Sequence, residues 1–212
     1  METHSQKVRT RTAEELADRE KGFLELTHLL DENGFPYFLC LGGLLGAVRE
    51  KRFIPWDWDV EICVYATDVF ERKDELLKLI AEAGFEILKK DLSFENFKID
   101  TAKYQAADVT SFTIIGWHKE GDTWRRNALR IPARFLDTLD EIDFLGRRFK
   151  CPHEPEQYLE FQYGKDWRTP KRTADKDDYW TREAFPGGDV TEGGRLGVLV
   201  RRFKKKLRSW LR

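Results

Sequence analysis

Asp57-Trp58-Asp59-Val60-Glu61 sets three carboxylates with one residue between each, and thirteen residues separate them from the glycine pair Gly42-Gly43. If residues 57 to 65 form a strand, side chains two apart share a face. Asp57, Asp59 and Glu61 then project together, while Trp58, Val60 and Ile62 cover the other side. Three like charges this close repel, and a cation relieves them. Hard oxygen ligands beside a glycine turn suit Mg²⁺ or Mn²⁺, ions that also hold substrate phosphates. Gly42 and Gly43 carry no side chain, so a phosphate can reach their N–H groups at the start of the following helix, whose dipole favours an anion. Arg49 and Lys51 are placed to contact such phosphates; for Arg49 the competing role is an ion pair near Glu50, and for Arg52 that structural role is the reading. Neutralising the charge on a transferring phosphoryl group and holding attacking and leaving oxygens in line is the chemistry these residue types serve. An isolated Asp-x-Asp-x-Glu fits a solvated edge strand as well; the glycine pair turns the reading toward a site.

The flanking elements follow from periodicity. Thr12 with Glu15 forms a capping box, and Phe23, Leu26, Leu29 and Leu30 make a helical stripe over 13–32 that ends at Gly34. Residues 37–41 are a short apolar strand that turns at the glycine pair into a helix over 43–50. Residues 68–83 carry a second helical pattern closed by Gly84. From Phe85 onward FEILKKDL, ENFKIDTAKY and DVTSFTIIGWH alternate partly and predict strands of an antiparallel sheet, with Gly121-Asp122 as a turn. Residues 132–150 read as helix-like and then extended, and PEQYLEFQY as a helix starting at Pro155 and ending at Gly164. The charged, glycine-bearing stretch after 164 reads as loop, with residues 181–194 as a linker.

At 212 residues, 41% hydrophobic and 35% charged, the chain has enough apolar content for one substantial core. The division is one domain over 1–180, the linker 181–194 and a tail over 195–212. That tail, RLGVLVRRFKKKLRSWLR, holds eight Lys/Arg and no acid, while the first 194 residues carry 29 basic against 38 acidic side chains. Leu196, Leu199, Val200, Phe203, Leu207, Trp210 and Leu211 recur at helical spacing, so the tail reads as a basic amphipathic helix suited to an anionic membrane surface. Docking on its own acidic body, or a subunit contact, is the alternative. The acidic body disfavours nucleic acid. Cys40, Cys63 and Cys151 are widely spaced with no Cys-x-x-Cys pair, which reads as free thiols in a reducing compartment and no zinc site. No apolar run is long enough to cross a membrane and no signal peptide opens the sequence. The expected location is cytoplasmic, peripheral at the inner face of the membrane.

LGGLLGAVREKRFIPWDWDVEICVY, residues 41–65, resembles the LicD and fukutin-related phosphotransferase family of the nucleotidyltransferase superfamily. In that family a strand leads to Gly-Gly or Gly-Thr, then Leu-Leu-Gly-Ala and Arg, a cationic turn, and Ile-Pro-Trp-Asp-x-Asp. Trp58 between the first two aspartates is similar to the fukutin-related branch, and Glu61 stands where the family usually has aspartate. FLGRRFKCPHEPEQYLEFQYGKDWRTP, residues 144–170, is similar to the family's distal segment; together the two cover about a quarter of the chain. The resemblance implies an α/β (α+β) fold, a nucleotidyltransferase-like mixed sheet flanked by helices. It implies a CDP-activated small alcohol as donor, of the phosphocholine or alditol-phosphate type. The acceptor is a glycan or lipid-linked glycan hydroxyl, and CMP is released. It also implies a further acidic residue on a later strand, for which Asp108 is the candidate and Asp100 the alternative; one of Asp57, Asp59, Glu61 or Asp108 accepts the proton of the attacking hydroxyl. The competing readings are a nucleotidyltransferase acting on another acceptor, and a non-catalytic membrane-associated scaffold.

Overall fold

The computed structural model describes residues 9–104, 111–173 and 179–186. Helix α1 spans Ala13–Glu32. Thr12 Oγ1 accepts from Glu15 N at 3.2 Å while Thr12 N donates to Glu15 Oε2 at 2.7 Å, the reciprocal cap that satisfies two otherwise orphaned donors. Its inward face buries Phe23, Leu26 and Leu30, and Gly34 at φ +65° lets the chain leave. Strand β1 (Phe38–Leu39) is followed at once by α2 (Leu41–Arg49), so the glycine pair lies inside the first helical turn and not ahead of it. Strand β2 (Asp59–Tyr65) comes next, and Asp57 lies just before it.

The helical pattern over 68–83 is broken in two. Ala66–Val69 forms α3, a 3₁₀ turn spans Phe70–Arg72, and α4 runs Lys73–Glu82. Then come β3 (Glu86–Asp91), β4 (Lys98–Ala102), β5 (Ser111–Glu120), β6 (Thr123–Arg126) and β7 (Leu129–Pro132). The strand order is β1-β2-β5-β4-β3, with β6 beside β5 and β7 beside β6. β2 and β5 are parallel and every other pair is antiparallel, so this is a mixed sheet flanked by helices. After a 3₁₀ turn at Ala133–Phe135, where a longer helix was expected, β8 (Leu139–Phe144) and β9 (Arg147–Pro152) form a separate hairpin. Leu145 and Gly146, both at positive φ, make its turn. Phe144 and Phe149 of the hairpin meet Phe23 of α1 and Phe53 with ring centroids 5.1–6.3 Å apart, which fastens the hairpin over α1. Helix α5 (Pro155–Tyr163) ends at Gly164 as its sequence predicts.

Two features depart from the sequence reading. Residues 179–186 dock on the body: Arg130 N donates to Ala184 O at 3.0 Å, Thr181 N to Gln162 O at 2.9 Å, and Ala184 is fully buried. No periodicity marks this stretch because a loop buries residues singly. Cys40 and Cys63, read as separate free thiols, are joined as a disulfide with Cα atoms 6.1 Å apart. The cause is register: Phe38 pairs with Cys63 across β1 and β2, which sets Cys40, two residues on, diagonally against it. The linker beyond 186 and the basic tail at 195–212 lie outside the described residues. Among those described, no helix is long and apolar enough to cross a membrane.

Candidate functional site

The first turn of α2 lies over the start of β2. Cys40, the N-cap, offers no side-chain acceptor, so the leading N–H groups of the helix have no side-chain cap. Leu41 enters at φ +50°, a left-handed conformation costly for a bulky residue and typical of sites where surrounding structure over-determines the backbone. Gly42 is glycine for a reason the sequence did not reveal. A Cβ there would collide with Asp57 Oδ2 and come within 3.4 Å of Glu61 Oε2, so two carboxylates reach the same point beside the helix start. Gly43 faces the strand backbone, its absent Cβ 3.4 Å from Glu61 O.

Asp57 Oδ1 accepts from Trp58 N at 3.0 Å, which aims the other oxygen at Gly42. Asp59 and Glu61, two apart on β2, project to one face with it. Burial and the neighbouring Asp59 push the Asp57 carboxyl up to about 7. Burial raises Asp59, and burial with both aspartates holds Glu61 well above the carboxylate range. Among the described residues, Glu61 Oε2 is sealed from solvent and has no hydrogen-bond partner. These are the marks of an acidic cluster built for a positive charge it does not itself contain.

A divalent cation fits this donor set, since every ligand atom is a hard oxygen and one is orphaned. Among the described residues no three Asp, Glu, His or Cys side chains close into a preformed cage. An ion here must take further ligands from water and substrate, the habit of Mg²⁺.

The row continues across the sheet. Glu61 pairs with Thr113 on β5 and Thr113 with Asp100 on β4, so all three share a face. Thr113 Oγ1 donates to Asp100 Oδ1 at 2.8 Å, and Lys98 holds the other oxygen at 2.8 Å. Asp100 is therefore the later-strand acid that the structure brings to the cluster; Asp108 lies outside the described residues.

Two arginines flank the carboxylates, and neither was visible as a site residue in the sequence. Arg19 of α1 is fully buried, and burial, with Arg11 beside it, lowers its guanidinium to about 10 even though Asp57, Asp59 and Glu61 act to raise it. Its place in a helical pattern hid it among surface charges. Arg126 at the end of β6 likewise senses Glu61, Asp59 and Asp100.

In front of the cluster opens a pocket walled by Trp56, Trp58, Tyr163, Trp167, Tyr179 and Trp180, with Gly42, Asp57, Asp59 and Glu61 at its floor. Lys171, Thr169 and Thr173 add polar groups to it. Arg49 reaches the wall, but its Nε pairs with Glu50 Oε1 at 2.9 Å and an outer nitrogen donates to Trp167 O at 3.1 Å. It braces the aromatic wall as much as it faces a ligand. Lys51 is not brought to the site: it sits past the helix end at φ +57°, exposed and away from the pocket lining. The residues that line this pocket thus come from remote stretches of the chain, 41–61 on one side and 163–173 with 179–180 on the other.

A family model described as LicD/FKTN/FKRP, nucleotidyltransferase domain, matches residues 34–154, which include the glycine pair, the carboxylates, Asp100 and Arg126. The ribitol 5-phosphate transferase FKRP of Mus musculus is 29% identical over 144 residues, covering 64% of this chain and 29% of its own length. The ribitol-5-phosphate transferase FKTN of Macaca fascicularis is 26% identical over 174 residues, covering 77% of this chain and 37% of its own length. The chain thus spans about a third of the length of the curated relatives it matches. Among solved structures, the lincosamide antibiotic adenylyltransferase LnuA bound to lincomycin has a TM-score of 0.46 at 12% identity, covering 71% of this chain and 86% of that one.

Proposed function

The chain belongs to the LicD/FKTN/FKRP nucleotidyltransferase-domain family, and we propose that it moves a phospho-alcohol, of the alditol-phosphate or phosphocholine type, from a CDP-activated donor to a glycan hydroxyl, releasing CMP. The observation that carries this reading is the convergence of Asp57 and Glu61 on the side-chain-free Gly42 at the start of α2. The names of the relatives, both ribitol phosphate transferases, favour the alditol-phosphate type.

In the proposed step the acceptor hydroxyl oxygen attacks the phosphorus that bears the alcohol. The bond from that phosphorus to the bridging oxygen breaks, CMP departs with the electron pair, and the hydroxyl proton passes to a carboxylate of the cluster. Mg²⁺ or Mn²⁺ held by Asp57, Asp59 and Glu61 would neutralise phosphate charge. The N–H groups of the first turn of α2 receive phosphate oxygens, and Gly42 lets them approach. The aromatic wall encloses the flat and apolar parts of the donor and excludes water.

The test is incubation with Mg²⁺ and a panel of CDP-ribitol, CDP-glycerol and CDP-choline, with and without glycan fractions, reading CMP. Acceptor-dependent CMP release is expected, and its loss in Asp59→Ala with an unchanged circular dichroism spectrum. Pyrophosphate release from a nucleoside triphosphate, with no CMP from any CDP-alcohol, would replace this reading with nucleotidyl transfer.

A further inference from the structure

Helix α5 delivers Tyr163 to the pocket that holds the carboxylates. Its buried residues Tyr158, Leu159, Gln162 and Tyr163 recur at helical spacing, and α5 packs on α2, the helix that carries Gly42 in its first turn. The helix ends at Gly164, directly after Tyr163. Tyr163 therefore stands at the end of α5 and lines the same cavity as Gly42, Asp57, Asp59 and Glu61. Its ring lies beside that of Tyr179, centroids 6.2 Å apart, and only 9% of the residue is exposed.

A phenol hydroxyl in a largely buried setting normally finds a partner. Tyr37 donates to Asp31 Oδ2 at 3.2 Å, Tyr104 to Glu25 Oε1 at 2.6 Å and Tyr65 to Leu136 O at 2.5 Å. Among the described residues Tyr163 Oη has no hydrogen-bond partner. The hydroxyl of Tyr158 is sealed from solvent and outside the pocket lining, whereas that of Tyr163 is not sealed and belongs to the lining. Burial, and after it the charge of Glu61, hold the Tyr163 hydroxyl well above the ordinary tyrosine range, so it keeps its proton and donates. The cations of the pocket are already engaged: Arg49 with Glu50 and Trp167 O, and Lys171 Nζ with Asp166 at 2.9 Å. Neutral donors at hand for an anion include the leading N–H groups of α2 and the Tyr163 O–H.

We propose that Tyr163 is a substrate ligand: its hydroxyl donates a hydrogen bond to an oxygen of the donor's diphosphate, in the cavity that Tyr163 and the carboxylates line together. Phosphate oxygens held over the carboxylate floor leave others turned to the pocket wall. A charged oxygen there accepts from a phenol more strongly than water does. The inference rests on the phosphotransfer reading and adds a contact to its substrate.

The full chain with Mg²⁺ is titrated calorimetrically with inorganic pyrophosphate, CDP and CMP, as wild type and as Tyr163→Phe, which removes the hydroxyl and keeps the ring. Melting temperatures are measured without ligand and with Mg²⁺ alone. One lost hydrogen bond to a charged oxygen predicts that Tyr163→Phe weakens CDP and pyrophosphate about 10- to 100-fold. The unliganded melting temperature holds, since no partner within the protein is lost, and Mg²⁺ alone raises both proteins alike. CMP bound as in wild type, with CDP weakened, assigns the contact to the transferred phosphate; CMP weakened as well assigns it to the phosphate that leaves. Affinities equal to wild type overturn the proposal, as does failure of the wild type to bind any of the three. A smaller response of Tyr163→Phe to Mg²⁺ alone marks a disturbed carboxylate floor and also overturns it. Weakened pyrophosphate and CDP in a chain that releases no CMP from any CDP-alcohol would keep the phosphate contact and remove the proposed reaction. CMP release by the wild type, with affinities unaltered in Tyr163→Phe, would do the reverse.

Discussion

Asp57→Asn should stabilise the metal-free protein at pH 8 while abolishing turnover. The folded protein holds the Asp57 carboxyl at about 7 against an ordinary 3.8, chiefly through burial and the charge of Asp59. A folded pKa above the unfolded one means that, between about 4 and 7, the native state binds a proton the unfolded chain releases. Stability from this group is therefore complete below the lower value and declines as pH rises through the upper one. The full shift corresponds to about 4 kcal/mol. Asp57 is only partly buried, so solvent screening reduces this to about 2 kcal/mol. Asparagine keeps the oxygen that accepts from Trp58 N and deletes the charge. For a chain of this length, about 2 kcal/mol is about 4–8 °C in melting temperature. Differential scanning fluorimetry with EDTA, from pH 4.5 to 8.5, should show the variant closest to wild type at the acid end, gaining up to about pH 7 and levelling off above it. Adding Mg²⁺ should raise the wild type more than the variant and narrow the gap. A variant less stable than wild type at pH 8, or a difference that does not vary with pH, refutes the argument that these carboxylates are confined against their own repulsion.

Gly42→Ala should cut turnover about 100-fold, because the methyl would collide with Asp57 Oδ2 and a displacement of reacting groups by about 1 Å has that consequence; Gly43→Ala, which meets only a backbone oxygen at 3.4 Å, should be far milder in the same CMP assay. Trp167→Ala should lower stability by about 3–5 kcal/mol in urea melts, as its ring is buried, whereas Trp167→Phe should fold and raise the donor KM by thinning the pocket wall. Ending the chain at Gly194 removes eight cations and should abolish sedimentation with anionic liposomes; equal binding by the full and shortened chains would remove the membrane role.

Local code carried much of the architecture. Thr12 and Glu15 announced the start of α1, Gly34 its end, and Pro155 and Gly164 both ends of α5, because capping and breaking act within a few residues and need no partner elsewhere. The break of the 68–83 helix into α3, a 3₁₀ turn and α4 left no comparable mark, since its apolar residues keep helical spacing through the interruption. Lys51 shows the same limit at the site: its spacing from Arg49 suggested a shared ligand, but the positive φ after the helix turns it to solvent.

The alternation Asp57, Asp59, Glu61 and the glycines before it were sufficient, in sequence alone, to specify an acidic face beside a helix start, because strand period and helix dipole are properties of the chain itself. Only folding could decide what surrounds that face. Asp100 joins it through the Thr113 register, Arg19 arrives from α1, and Arg126 from β6. The aromatic wall at 163–180 comes from more than a hundred residues downstream of Gly42. Each depends on which strands pair and which loops dock, and those choices are set by burial summed over the whole chain, which no local spacing records.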